Sequence, residues 1–328
     1  MRGLIHGSAI EGAYDPASSL SVLMEALDEH MQAAAATRLP VPETTVRRRV
    51  GPEWARRVLR SRLTVPAIVV LLAVVVCAVA ANVVAPYDPF FQDYASVLEP
   101  PSPAHLMGTD DIGRDVLSRV IYGSRISVSV GLVAVALAIL IGVPLGLLAA
   151  YTRGWLDDVL MRVMDAISSF PALVLALGIT AALKPGLLNV MVAIGVVYTP
   201  MFARLARGEA LSLREREFIS AARAVGAGPL RIIRSHIWPN ATAPIIVLAS
   251  LRVASAIVTE AGLSFLGAGV PPPAPSWGAM LRASYQYTET APWLAIFPGA
   301  AIFLTVLATN ILGDALRSAL DPRMRGRE

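Results

Sequence analysis

Residues 212–239, SLREREFISAARAVGAGPLRIIRSHIWP, form a polar, Arg-rich segment between two long apolar runs. Ser212 opens an S-x-x-E capping box, which predicts that a helix begins there. Gly226 is expected to end that helix in the left-handed conformation, and Pro229 to begin a second helix that Pro239 ends. A hairpin of short helices with a face of small side chains is suited to docking into another protein, so the chemistry indicated is recognition.

This segment resembles the EAA loop of the permeases of ABC importers, whose pattern is E-A-A-x3-G-x9-I-x-L-P. Ala221, Ala222, Gly226 and Pro239 stand at the matching positions. Ser220 replaces the glutamate of the pattern. In that family the loop is the coupling helix, which sits in a groove of the ATPase subunit.

The resemblance implies which residues contact an ATPase. The expected coupling residues are Glu217, Ser220, Ala221, Ala222, Arg223, Gly226 and Pro239. Glu217 lies one turn before the replaced glutamate and is expected to substitute for it, with Arg223 as a second contact at the rim. The alternatives are an ordinary loop helix and a DNA-binding helix-turn-helix, although the flanking spans leave no room for a duplex to dock.

The composition is typical of a membrane protein. Of the 328 residues, 55% are hydrophobic, a share that soluble domains rarely reach. The single cysteine, Cys77, excludes an intrachain disulfide and a zinc site made of thiolates. The sequence contains no P-loop, no H-E-x-x-H and no G-x-S-x-G. We therefore expect no catalytic residue, no metal and no cofactor in this chain.

Six apolar runs have lengths that predict membrane-spanning helices. They cover residues 65–85, 126–151, 170–183, 188–205, 243–265 and 292–312. Glycines recur inside them, which favours a packed bundle because small residues let helices approach closely in lipid. The expected fold class is an all-α membrane protein with six transmembrane helices.

The distribution of arginine predicts the orientation. Arginine is dense in the loop 204–236 and in the C-terminal tail, and sparse in the opposite loops, so both termini are expected in the cytoplasm. The protein is expected to be a multi-pass protein of the plasma or inner membrane. The expected organisation is a cytoplasmic tail 1–64, a first transmembrane helix 65–85, an external segment 86–124, a five-helix permease core 125–316 with the coupling loop 208–239, and a cytoplasmic tail 317–328.

Two further blocks resemble one permease of the peptide- and nickel-type ABC importers. Residues 104–131 resemble the signature before its second span, and residues 260–280 resemble the end of its fifth span with the following external loop. In the first block a helix is expected near Ile112, with Thr109 or Asp110 as its cap rather than as a calcium ligand. The resemblance implies the core of a type I (MetI-like) ABC importer permease.

Arg252 and Glu260 are ionisable residues within or near the fifth apolar run. Burying a charge in a membrane is costly, so such residues are candidates for function. They lie about two helical turns apart, so they face similarly without touching. They either line the pathway or contact a partner permease, or they have a structural role inside the bundle.

The resemblance implies a non-catalytic permease subunit of an ATP-driven ABC importer of the dipeptide, oligopeptide and nickel class. It would translocate peptides that an external substrate-binding protein delivers. Its partners would be a second homologous permease, two ATPase subunits that bind ATP and Mg²⁺, and membrane lipid, with no nucleic acid. The alternatives are a permease for nickel or other small solutes, an ion-coupled secondary transporter, and a membrane-anchored scaffold or enzyme.

Overall fold

The computed structural model describes residues 63–152 and 154–320, and these fold as helices joined by turns and loops. Within these two ranges there is no β-strand, only an isolated bridge between Thr109 and Asp115. The expectation of an all-helical chain is therefore confirmed for the described residues. Nearly all of the expected tail 1–64 and most of the tail 317–328 lie outside them.

The helices differ widely in length. In chain order they are α1 (Thr64–Val79), α2 (Ala81–Val84), α3 (Val116–Thr152), α4 (Trp155–Ser168), α5 (Ala172–Leu183), α6 (Leu187–Arg214), α7 (Glu217–Ala224), α8 (Pro229–Ile232), a π-helical turn (Ile233–Ile237), α9 (Trp238–Phe265), α10 (Trp277–Ser284), a 3₁₀ turn (Tyr285–Tyr287) and α11 (Trp293–Leu320).

Four helices are long and apolar enough to cross a membrane: α3, α6, the continuous helix from Pro229 to Phe265, and α11. Helices α4 and α5 qualify as a fifth if they form one span, although they are bent by 92°. Helix α1, the first predicted span, is a shorter apolar helix of 16 residues. The structure thus supports four or five spans by length and composition, and the predicted six are not confirmed.

Helix α3 begins at Val116, so the expected start near Ile112 is wrong. Asp115 caps the helix, because its Oδ2 accepts hydrogen bonds from the backbone N–H and the hydroxyl of Ser118, both at 2.8 Å. Asp110, one of the two expected caps, instead accepts two backbone N–H bonds in the tight turn before the helix. Asp110 therefore stabilises the turn before the helix, and Asp115 caps the helix itself. The sequence pattern assigned the cap to the earlier of these two aspartates.

The centre of the bundle is the contact between α3 and α6, the most extensive between any two helices of the described chain. Gly142 and Gly146 of α3 lie against the backbone of α6. A Cβ on Gly146 would collide with the carbonyl oxygen of Ala203, and a Cβ on Gly142 would lie 2.5 Å from that of Thr199. Helices gain no hydrophobic attraction from one another in lipid, so this close approach supplies the packing that holds them together.

Replacing Gly146 tests this contact. We expect Gly146→Ala to destabilise the protein by about 1–3 kcal/mol, because the added methyl forces the two backbones apart. Gly208 is the matched control, since it lies in α6 with nothing within 4 Å of an added Cβ. Gly208→Ala should be neutral or stabilising. The measurement is the melting temperature of each purified variant in lipid nanodiscs, and equal melting of the two variants would contradict the packing argument.

Candidate coupling surface and buried polar residues

The segment singled out in the sequence folds as two short helices, α7 and α8, joined by a tight turn. Gly226 lies in that turn with φ +83°, and the N–H of Ala227 donates to the carbonyl of Ala222 at 3.0 Å. This is the left-handed C-cap that the sequence predicts. Pro229 is the first residue of α8, also as predicted.

The other two boundary predictions for this segment are wrong. Ser212 does not cap a helix, since it lies inside the last turn of α6, which continues to Arg214, and α7 begins at Glu217. Pro239 does not end the second helix, because it stands in the first turn of α9. A π-helical turn lies just before Pro239 and widens the helix, and the N–H of Trp238 donates to the carbonyl of Ile233, five residues back. The helix therefore continues through the proline.

The hairpin is anchored to the rest of the bundle by aliphatic contacts. Ile219 of α7 is fully buried, and it clusters with Ile232 and Ile237 against Ala150 of α3 and Ala210 of α6. A cavity of about 200 Å³, lined mainly by apolar side chains, lies beside this cluster. The isoleucine cluster therefore connects α7 to the ends of both central helices.

The opposite face of α7 is exposed. Glu217, Ser220, Ala221 and Arg223 are exposed, and Ala222 is half-buried. Glu217, Ser220 and Ala221 follow one another at helical spacing, so they share a face. The structure thus brings Glu217 to the same surface as Ser220, the position where the loop pattern has glutamate.

Three exposed apolar residues of this region were not predicted. Phe218 is 45% exposed, Leu230 is 72% exposed and Val225, next to the turn, is 86% exposed. Their apolar character within a polar segment was the signal that could have identified them. Exposed apolar groups flanked by polar residues mark interaction surfaces. We call the exposed residues 217–226, together with Leu230, the coupling surface.

Helix α4 is joined to α6 by ion pairs near the same end of the bundle. Arg207 donates from Nε to Oδ1 of Asp157 at 2.7 Å and from Nη2 to Oδ2 at 2.6 Å. Arg204 donates to Asp165 at 3.2 Å. The two-point contact between Arg207 and Asp157 defines the orientation of both side chains, which a single bond would not do.

Glu260 lies in α9 and is fully buried. The hydroxyls of Ser127 and Ser264 donate to its two carboxyl oxygens at 3.0 and 2.7 Å, and Ser276 makes a further side-chain contact. These serines belong to α3, to α9 itself and to the cap of α10. Glu260 therefore ties three segments of this chain together.

Arg252 lies two turns earlier on α9 and is surrounded differently. Its Nε is buried and has no hydrogen-bond partner among the described residues. Its guanidinium carbon lies 6.0 Å from the centre of the Tyr198 ring, within the range of a cation–π contact. The two candidate residues do not contact each other, as expected, and of the two only Glu260 has hydrogen-bond partners among the described residues.

The segment just before α3, together with the first turn of that helix, contains a network of ion pairs. Asp110 contacts Arg114 at 2.6 Å and Arg119 at 3.5 Å, and Asp115 contacts His105 at 2.9 Å. No group of three or more acidic, histidine or cysteine side chains that could hold a metal is found in the described ranges. The aspartates act as caps and counter-ions.

The block at residues 260–280 fastens α10 to the bundle. Trp277 is buried, and its indole N–H donates to the carbonyl of Val120 in α3 at 3.0 Å. Gly278 lies so close to α9 that an added Cβ would collide with the carbonyl of Ala261. Trp277 and Gly278 therefore have a packing role.

Comparison with known proteins assigns this architecture to a family. The family model described as "Binding-protein-dependent transport system inner membrane component" matches residues 142–326, more than half of the chain. The model described as "N-terminal TM domain of oligopeptide transport permease C" matches residues 53–101.

Curated relatives match over almost their whole length. The glutathione transport system permease protein GsiD of Pectobacterium atrosepticum is 43% identical over 88% of this chain and 96% of its own. The dipeptide transport system permease protein DppC of Alkalihalophilus pseudofirmus is 42% identical over 83% of this chain and 90% of its own. A putative peptide transport system permease protein of Brucella suis is 45% identical over 83% and 91%.

The fold also matches solved structures. Two inward-facing crystal forms of the MetNI methionine ABC transporter superpose with TM-scores of 0.51 and 0.52 at 20% identity, covering 61% and 62% of this chain. At that identity the likeness shows the fold alone. The resemblance drawn from the sequence is confirmed, and the chain belongs to the family of inner membrane components of binding-protein-dependent transport systems.

Proposed function

We propose that this chain is a permease subunit of an ATP-driven ABC importer and that the importer carries peptides. The observation that supports this most is the coupling surface, which combines the spacing of the EAA loop with exposed apolar side chains on a firmly anchored hairpin. The peptide assignment rests on the named substrates of the relatives, which are dipeptide, peptide and glutathione. Nickel or another small solute is the alternative within the class.

In this proposal the chain hydrolyses nothing itself. Two ATPase subunits bind ATP and Mg²⁺, and one of them holds the coupling surface. Closure of the ATPases moves α7, and the buried Ile219 transmits the movement to α3 and α6. ATP shifts the population between the inward and outward states because it binds the ATPases more tightly in one state than in the other. The size of the shift is set by that difference in affinity. A second homologous permease completes the pathway, and an external substrate-binding protein docks over residues 86–124 and 266–291.

We further propose six spans. Helices α1 and α2 together, interrupted only at Ala80, form the first, and the bent pair α4 and α5 forms the third. The density of arginine in the loop 204–236 supports a cytoplasmic location for the coupling surface. Six spans then place both termini in the cytoplasm.

In the proposed pathway Arg252 faces the solute or the partner permease. Glu260 has a structural role in this proposal, because its carboxyl oxygens already accept hydrogen bonds within this chain. It joins α3 and α9 to the start of α10. Among the coupling residues, Glu217 and Arg223 contact the rim of the ATPase groove. Pro239 lies at the start of α9, where the coupling loop ends.

Thiol labelling tests the orientation. In a Cys77→Ala background, Ala104→Cys should react with a membrane-impermeant reagent in intact cells, because Ala104 is exposed in the external segment. Ala224→Cys, exposed at the end of α7, should react only after the membrane is opened. The measurement is the labelled fraction of each variant. The reverse pattern would place the coupling surface outside and rule out an ATPase contact.

A matched pair of glycine variants tests the coupling contact. Gly226→Ser should cost about 1–2 kcal/mol, because Gly226 has φ +83° and a side chain there disfavours that backbone. Gly228→Ser should cost little, since Gly228 has φ −69° at the cap of α8, where serine is favoured. Both positions are open to solvent, with nothing within 4 Å of an added Cβ.

The measurement is the amount of P-loop ATPase that purifies with each form from its native membrane. We expect wild type and Gly228→Ser to bring down an ATPase and a second permease, and Gly226→Ser to lose about tenfold of the ATPase. Purification of the wild type without any ATPase would contradict the proposed function.

A further inference from the structure

Helix α9 carries a polar stripe in the middle of an apolar span. Arg252, Ser255 and Thr259 follow at spacings of three and four, so they lie on one face of the helix. All three are partly accessible, whereas Ala254, Ala256 and Ile257 beside them are buried. The stripe therefore lies on a surface of the chain that its own packing does not fill. We call these three residues and Tyr198 the polar stripe.

The stripe lies deep in the span. Arg252 is about 20 Å along the helix axis from the C-terminal end of α9. No carboxylate of the described residues lies within ion-pair distance of it, and Glu260 bonds to serines instead. A charge within a membrane span is costly without a counter-ion, and the described residues supply none to Arg252.

The unmet donors of Arg252 point to a particular kind of partner. The guanidinium carbon of Arg252 lies 6.0 Å from the centre of the Tyr198 ring, and its buried Nε has no acceptor among the described residues. A guanidinium presents those donors in a fork that matches a carboxylate in two-point geometry. A hydroxyl or a carbonyl would satisfy one donor and leave the charge uncompensated.

The hydroxyls of the stripe complement this chemistry. Ser255 donates to the carbonyl of Leu251 at 3.3 Å, and Thr259 donates to the carbonyl of Ser255 at 2.9 Å. Tyr198 and Thr259 are also hydrogen-bonded at 3.1 Å. Because the hydroxyl of Ser255 donates its hydrogen to the helix backbone, its oxygen can accept a hydrogen bond from a molecule at the stripe. A partner with a carboxylate at one end and N–H donors beyond it would satisfy both ends of the stripe.

We propose that the polar stripe binds the free carboxylate of the transported solute, with Arg252 as its anchor and Ser255 as an acceptor for a solute N–H. The substrate class is then small solutes that carry an unblocked carboxyl group near amide or ammonium groups. This inference rests on the proposed function and adds a chemical requirement to it. The same carboxylate chemistry could come from an acidic side chain of the second permease, which the experiment distinguishes.

The test uses the complete assembly in proteoliposomes: this chain, the second permease, the ATPases and the binding protein. The probes are labelled dipeptides prepared as free acids and as C-terminal carboxamides. Binding protein is saturated with each probe in turn, so that its own preference does not determine the rate. The initial rate of ATP-dependent uptake is measured for wild type, Arg252→Gln, Arg252→Lys, Ser255→Ala and Ser250→Ala.

We expect wild type to import free acids about tenfold faster than carboxamides, as for one charged hydrogen-bonded contact. Arg252→Gln should remove that preference by slowing the free acids alone, and Arg252→Lys should restore part of it. Ser255→Ala should slow both probe types. Ser250→Ala is its matched control, because Ser250 lies in the same helix, is also partly buried and also bonds to its own backbone, yet lies off the stripe.

The outcomes separate this inference from the function beneath it. Equal uptake of acids and carboxamides by the wild type, or an unchanged preference in Arg252→Gln, overturns the carboxylate site while the importer assignment stands. Loss of the second permease on purification of Arg252→Gln assigns the carboxylate to that chain and overturns the solute site. Absence of ATP-dependent uptake of every free acid contradicts the proposed peptide importer, and the inference falls with it.

Discussion

The close approach of α3 and α6 organises the packing of the other helices. In lipid the helices gain nothing by hiding apolar side chains from one another, so their association requires intimate backbone contact. Gly142 and Gly146 provide it, because any side chain there would collide with the backbone between Thr199 and Ala203. The two helices consequently form the most extensive helix pair of the described residues.

Both of the proposed functional surfaces contact this helix pair. At one end, Ile219 connects the coupling surface to Ala150 of α3 and Ala210 of α6. Within the span, Tyr198 of α6 lies against Arg252 of α9. A movement of the hairpin therefore has a continuous packed route to the helix that forms one wall of the polar stripe. In this account the alternation of access and the handling of the solute are coupled through α6.

The sequence predicts those features that a single residue imposes on its own backbone. The turn at Gly226 follows because few other residues adopt φ +83°, and the long spans follow from apolar length. Local signals failed where the neighbouring structure overrode them. Helix α6 continues through Ser212, so the capping box does not begin a helix there. A π-helical turn accommodates Pro239 within a continuous helix. The burial of Ile219 depends on residues distant in sequence, which no local pattern records.

Photo-crosslinking in the native membrane tests whether the exposed hairpin contacts an ATPase. A photoreactive amino acid at Val225, which is 86% exposed, should crosslink to a P-loop ATPase identified by mass spectrometry. The same amino acid at Leu140, 71% exposed on the apolar helix α3, should not. We expect an ATPase adduct at Val225 and none at Leu140. An ATPase adduct at neither position, or equally at both, rules out a specific contact between the hairpin and an ATPase.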